Sequence, residues 1–253
     1  MTTLPRVVIG SGEPSLTFVH GFTQTKASWM PVATEMSVNH RCVLVDAPHH
    51  GDAQSLDVDF GVAAELIGDA ARDSVLVGYS MGGRLALAAA IAPSSNLRAL
   101  VLLSSTAGLD AVDDRRARRE ADDRLADRIE SIGTEAFLEE WTTQPMFRQT
   151  SLTADDRSAR LSNAPESLAR SLRTCGTGVQ PSLWSDLGAI KIPTLVVVGQ
   201  SDTKFVEIGR RLHEGIPESE ISLIQGAGHA VHLDQPHAFT QVLADFLSRR
   251  VRA

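Results

Sequence analysis

The stretch Val75-Leu76-Val77-Gly78-Tyr79-Ser80-Met81-Gly82-Gly83-Arg84 decides the fold of this chain. An apolar, β-branched run feeds Gly78-x-Ser80-x-Gly82, and an alanine-rich helical run follows from Leu85 to Ala92. A strand, a sharp turn carrying serine and a helix, in that order, make a nucleophile elbow. The turn must hold Ser80 in a strained backbone conformation, so its flanks must be almost free of side chain. Gly78 and Gly82 meet that need, because a residue without Cβ lets strand and helix approach closely. The hydroxyl then stands at the mouth of the sheet and above a helix N-terminus, where the dipole favours developing negative charge. A five-residue pattern alone would fit an ordinary Gly-rich turn; the strand before it and the helix after it favour the elbow.

Upstream, Leu16-Thr17-Phe18-Val19 reads as a short buried strand ending in His20-Gly21-Phe22-Thr23. An apolar strand closing on His-Gly recurs before the first helix of α/β-hydrolases. There the N–H of the second residue after the His helps to bind an oxyanion. In this chain that residue is Phe22, and the second donor would be Met81 N–H. His20 is expected to brace the loop. Cys42-Val43-Leu44-Val45-Asp46 is the next strand, with Cys42 in the core. It runs into Ala47-Pro48-His49-His50-Gly51-Asp52. Many α/β-hydrolases have glycine where this chain has His49, so the turn is expected to differ locally. His49 and His50 read as exposed loop histidines without a catalytic role.

Downstream, Phe60 to Ala71 is a helix candidate and Ala99 to Ser104 another buried strand. Strands that alternate with helices and are continuously apolar belong to a parallel sheet covered on both faces. The alternation breaks after Leu109. Asp113 to Ser131 is dense in both charges at helical spacing, and helical stretches continue to about Thr174. The stretch from about 110 to 175 is expected to be a helical cap inserted in a single α/β domain spanning 1–253. Ile192 to Gly199 resumes the sheet, with Asp202 beyond its end. Ile221 to Ile224 is the last strand, before Gly226-Ala227-Gly228-His229, and Ala238 to Arg249 is a closing helix. The fold class is therefore α/β: a mostly parallel sheet with helices on both faces and a helical cap.

Ser80, Asp202 and His229 each follow a strand, at the carboxyl edge where open α/β sheets place their sites. Their order is that of an α/β-hydrolase triad. His229 would take the Ser80 proton, and Asp202 would orient the imidazole and stabilise its charge. Asp234 and His232 compete by proximity, but His232 falls where the terminal helix begins.

Bulk properties narrow the function. The chain has 253 residues, 43% hydrophobic and 22% charged, as expected of an ordinary globular protein. A net charge of −7 without a basic stripe argues against nucleic acid. Met1 to Gly10 carries no long apolar run, and no segment approaches the ~20 apolar residues that span a bilayer. Cys42 and Cys175 have neither metal nor redox spacing. The expectation is a cytoplasmic protein with no metal, cofactor, nucleic-acid or membrane partner, either a monomer or a weak homo-oligomer.

The arginines hint at the substrate. Arg84 lies four residues after Ser80, one turn along the same helix face. Arg118 shares the apolar stripe of Leu125, Ile129 and Ile132 to within roughly 40°. An arginine on a buried stripe needs an anion, which is either an acid of the chain or a polyanionic small substrate. Arg115, Arg116, Arg119, Arg124 and Arg128 lie off that line, on a solvated, ion-paired face.

Several further stretches carry a resemblance. They are Arg115-x-x-Arg118, Trp141-Thr142-Thr143-Gln144-Pro145-Met146-Phe147, Arg160 with Asn163, Gly178-Val179-Gln180-Pro181 and Asp202-Thr203-Lys204-Phe205. Together with the elbow, the His-Gly turn and Gly226 to His229, they make the chain resemble the 2-succinyl-6-hydroxy-2,4-cyclohexadiene-1-carboxylate synthases of menaquinone biosynthesis. That family sits within the α/β-hydrolase superfamily. The resemblance implies a lyase that removes a ring proton from 2-succinyl-5-enolpyruvyl-6-hydroxy-3-cyclohexene-1-carboxylate and expels pyruvate. The triad would act as a base, with no acyl-enzyme. The family's carboxylate-binding arginines fall on Arg84, Arg118 and Arg160. Trp141 and Phe147 match pocket residues, or serve only cap–core packing. Tyr79 either reaches the substrate or shapes the elbow. The alternative is a carboxylic ester or C–C bond hydrolase using the same triad; a binding protein on a hydrolase scaffold would have no need of an intact triad.

Overall fold

The computed structural model describes residues 3–251; Met1, at the head of the segment read for a leader, lies outside them. The sheet has seven strands: β1 (Arg6–Ile9), β2 (Leu16–Val19), β3 (Cys42–Val45), β4 (Val75–Tyr79), β5 (Ala99–Leu103), β6 (Thr194–Gly199) and β7 (Ser219–Ile224). Their order is β1-β3-β2-β4-β5-β6-β7. Only β1 runs antiparallel. Strands β2 to β6 are buried at every residue, which is why they read as unbroken apolar runs. Strand β1 is mostly exposed although Val7, Val8 and Ile9 are apolar, and its short run was not read as a strand.

The helices are α1 (Met30–Met36), α2 (Phe60–Ala70), α3 (Met81–Ile91), α4 (Val112–Thr142), α5 (Ala154–Leu161), α6 (Pro165–Cys175), α7 (Thr203–Gly215), α8 (Val231–Asp234) and α9 (Pro236–Arg250). One face of the sheet buries Val43, Leu76 and Leu100 with Ala63 and Ile67 of α2 and Leu85 of α3. The other buries Phe18, Leu44 and Val77 with Trp29, Phe239 and Phe246.

Helices α4, α5 and α6 lie between β5 and β6 in sequence. They bury a small core of their own, Ile129, Phe137, Leu168 and Leu172, with Phe22 of the sheet domain packed against it. Gly133 (φ 79°, ψ 168°) breaks α4 into two helical pieces. The first piece carries the charged stretch; the kink turns the second piece, and Trp141 with it.

The chain goes outward from β2 to β3 and then returns to β4 on the other side of β2. That reversal is the switch point where open α/β sheets bind ligands. Val19 pairs with Gly78 there, so the His20–Phe22 turn and Ser80 leave the sheet side by side. Among the described residues, no helix is long and apolar enough to cross a membrane.

Candidate active site

The elbow is built by close backbone approach. Ser80 sits at φ 51°, ψ −107°, a conformation that persists only where its surroundings enforce it. A Cβ on Gly78 would stand 2.5 Å from the carbonyl oxygen of Gly82; one on Gly82 would stand 2.5 Å from those of Val19 and His20. The strain is held by Ser80 N–H donating to Leu103 O at 2.9 Å and Arg84 N–H donating to Ser80 O at 3.0 Å.

His229 is 2% exposed. Its Nδ1 lies 2.8 Å from Asp202 Oδ2 and its Nε2 lies 3.1 Å from Ser80 Oγ. A carboxylate oxygen accepts, so Nδ1 carries the proton and Nε2 is free to accept from the serine hydroxyl. Asp202 caps α7, its Oδ1 accepting from Phe205 N–H at 3.3 Å. The Phe205 ring stands edge-on to the imidazole, centroids 4.4 Å apart. His229 N–H donates to Met146 O at 3.2 Å, which ties the histidine loop to the segment after α4.

The competing residues are occupied elsewhere. Asp234 accepts from Gly228 N–H at 2.8 Å and from the Thr150 hydroxyl at 2.6 Å, so it shapes the His229 loop. His232 is fully buried, stacked on Trp29 at 4.4 Å. His20 is a brace with a defined tautomer. Its Nε2 accepts from Ala47 N–H at 3.1 Å, so Nδ1 must be the nitrogen that donates to Gly21 O at 2.8 Å.

A cavity of about 480 Å³ opens over Ser80 and His229, bounded by Phe22, Tyr79, Met81 and Trp141. Met81 is the first residue of α3, so its N–H is one of the helix's free donors. Phe22 sits in the turn Gly21–Gln24, closed by Gln24 N–H donating to Gly21 O at 3.2 Å.

The arginines divide. Arg84 lines the cavity and is 7% exposed. It donates to Gln180 Oε1 and Cys175 O, both at 2.9 Å and both neutral. Burial pushes its guanidinium down to about 10, so it is still a cation near neutral pH. Arg118 also lines the cavity, but its stripe does not bury it. Its side chain is 43% exposed, and Nε donates to Asp122 at 2.8 Å. Both readings of Arg118 are thus partly met: it has an internal acid, and it faces the cavity. Arg116 pairs with Asp113 and Arg128 with Glu140 on the solvated face.

Arg160 departs from its expected place among the substrate-binding arginines. It is 5% exposed, its Nε donates to Asp156 and its Nη1 to Thr23 Oγ1, each at 2.8 Å. It borders a separate space of about 10 Å³ behind Trp141 and Phe147. Its bonds turn it towards the β2 loop. Lys204, an exposed cation, does line the cavity.

Tyr79, Trp141 and Phe147 all line the cavity and also pack. Tyr79 lies 5.5 Å from His229 and 4.4 Å from His232. Trp141 lies between Phe22 at 5.4 Å and Phe147 at 5.9 Å. His49 and His50 are corrected: both are fully buried, not exposed. His49 adopts φ 68°, the conformation that makes glycine usual at its position. Its Nε2 lies 3.0 Å from Val58 O, and the ring is sealed under α6 by Thr174 at 3.1 Å. The turn keeps its shape, and the side chain is absorbed.

Sequence reasoning missed Asp122, and it quoted Gln180 within Gly178-Val179-Gln180-Pro181 without giving it a partner. The i,i+4 spacing of Arg118 and Asp122 could have disclosed the first. Nothing local pointed to the bond between Arg84 and Gln180, which are 96 positions apart.

An alpha/beta hydrolase family model matches residues 18–242. The chain belongs to that family. Within it, a Bacillus subtilis protein provisionally named 2-succinyl-6-hydroxy-2,4-cyclohexadiene-1-carboxylate synthase is 38% identical over 91% of this chain and 89% of its own. A Salmonella typhimurium protein named as that synthase is 33% identical over 93% of this chain and 94% of its own. The solved structure of MenH from S. aureus superposes with a TM-score of 0.90 at 32% identity, covering 98% of each chain. The resemblance read from the motifs therefore extends through core and cap.

Proposed function

We propose that this chain is a carbon–oxygen lyase of menaquinone biosynthesis, with Ser80, activated by His229, as its base. It would convert 2-succinyl-5-enolpyruvyl-6-hydroxy-3-cyclohexene-1-carboxylate into the 2,4-cyclohexadiene by releasing pyruvate. The relatives named for this synthase support the pathway. The observation that carries the chemistry is Arg84, a buried cation on the cavity wall whose bonds go to neutral acceptors. Such a charge is costly to bury unless an anion meets it. The substrate brings three carboxylates, and Arg84, Arg118 and Lys204 line the cavity that would receive them. A neutral ester would leave the buried Arg84 without an anion.

The chemistry follows from the double bonds that move. His229 Nε2 takes the Ser80 proton, and Ser80 Oγ removes the hydrogen from the ring carbon bearing the succinyl carbonyl. That electron pair forms a ring double bond, the existing one shifts, and the carbon–oxygen bond to the enolpyruvyl group breaks. The leaving enolpyruvate recovers a proton from His229 and becomes pyruvate, while Ser80 keeps the hydrogen it removed. Negative charge spreads onto the succinyl carbonyl oxygen, which Phe22 and Met81 N–H would hold. Asp202 stabilises the imidazolium. Tyr79, Trp141 and Phe147 wall the ring from water.

The test is a paired assay. One arm supplies the enolpyruvyl substrate, made in situ by a preceding enzyme, and follows pyruvate with the rise in diene absorbance. The other supplies a neutral p-nitrophenyl ester. Fast pyruvate release with negligible ester cleavage is expected; ester cleavage without pyruvate would overturn the lyase reading.

A further inference from the structure

Thr23, directly after Phe22, has φ 70°. For a β-branched residue that conformation is an outlier, held only where contacts enforce it. Those contacts come from the last turn of α5 and the connection that follows it. Arg160 Nη1 donates to Thr23 Oγ1 at 2.8 Å, and Asn163 Nδ2 donates to Thr23 O at 3.0 Å. Asn163 is 2% exposed and fully engaged. Its Oδ1 accepts from Gly51 N–H at 2.8 Å, and its own carbonyl accepts from Thr134 Oγ1 at 2.8 Å. Asp156 fixes the Arg160 guanidinium from behind at 2.8 Å. One turn of the inserted helices thus grips the loops after β2 and β3 together.

We propose that Arg160 and Asn163 are positioning residues that clamp Thr23 in its left-handed conformation and so aim the Phe22 N–H at the reacting oxygen. The proposal rests on the oxyanion role given above to Phe22. It also gives Arg160 a task other than binding substrate. Without the clamp, Thr23 relaxes to negative φ, the change passes back through the Phe22 backbone to the peptide that carries its N–H, and the donor leaves its place while the cavity cations stay put. A displaced donor costs the transition state more than the ground state.

The experiment uses Asn163→Asp, which keeps an acceptor for Gly51 N–H and sets an oxygen against Thr23 O. Arg160→Lys, which keeps a charge beside Asp156, stands in if the first variant does not fold. Each is measured for kcat and KM of pyruvate release and for the rate at which a fluorophosphonate labels Ser80. In that labelling Ser80 Oγ displaces fluoride, and the phosphoryl oxygen occupies the oxyanion site, so no natural substrate is needed. The expected result is a fall of about ten- to a hundredfold in kcat and in labelling rate, with KM nearly unchanged. Thr23→Gly tolerates positive φ unaided, so Asn163→Asp in that background is expected to lose much less. Wild-type labelling and kcat in Asn163→Asp would overturn the clamp, as would an equal loss in both backgrounds. If the natural chain releases no pyruvate yet the variant labels slowly, the lyase reading fails and the clamp stands.

Discussion

Arg84 brings its charge into the protein without a bonded acid to cancel it, and Arg118 does not. Arg84 donates to an amide and a peptide carbonyl; Arg118 shares its charge with Asp122 and with solvent. The account therefore ranks them. Arg84→Gln is expected to lower kcat/KM for the polyanionic substrate by about ten- to a hundredfold, the worth of one charged hydrogen bond or slightly more. Steady-state kinetics on the variant, with an unchanged melting temperature, checks this. A variant that melts early and keeps its kinetics would make Arg84 a structural cation. Ser80→Ala is expected to lose at least about a hundredfold in kcat while still folding, since the methyl fits the elbow and only proton transfer is lost. Pyruvate release at near the normal rate would remove Ser80 from the chemistry. At this scale the sequence is legible where partners are close along the chain. Arg118 and Asp122 are four apart; Arg160 and Thr23 are 137 apart, and no local pattern reports that bond.

At the scale of elements, the elbow is the feature most fully written in the sequence, because its glycines answer a backbone contact rather than a preference. Gly82→Ala would put a methyl 2.5 Å from two carbonyl oxygens that belong to β2 and its turn, where nothing flexible can yield. The expected outcome is a chain that expresses insoluble or has lost its cooperative melting; a folded variant of ordinary stability would mean that strand and helix are not locked together. The buried strands were legible for a similar reason, as both faces need apolar residues. Strand β1 was not, since its exposed edge position demands no pattern. The charged helix was read as ending at Ser131, two residues before the kink at Gly133, and the second piece only as further helical stretches.

At the scale of the whole molecule, His20, His50 and His232 are among the buried histidines. Burial is the main cause that lowers each of them from the ordinary 6.5; nearby His20 adds to the effect on His50, and Arg160 to that on His232. Their folded values lie below the unfolded one, so the unfolded chain takes up protons first as pH falls. The stability they permit is present above about pH 6.5 and lost below it, by up to about 1.4 kcal/mol per pH unit for each group. Melting temperature is expected to fall steadily between pH 6.5 and 5, before most carboxylates titrate. A flat profile across that interval would show that the buried rings are hydrated or already paired when protonated. The packing that buries such rings was not legible: His49 and His50 read as loop residues because nothing nearby in sequence announces α6 over His49 or the His20 and Phe22 rings against His50.

In the proposed reaction Ser80 moves a proton and forms no bond to substrate. The most direct measurement is the intact mass of the enzyme, quenched during steady turnover of the enolpyruvyl substrate. An unmodified chain is expected while pyruvate accumulates. A mass increment that maps to the peptide carrying Ser80 would contradict it.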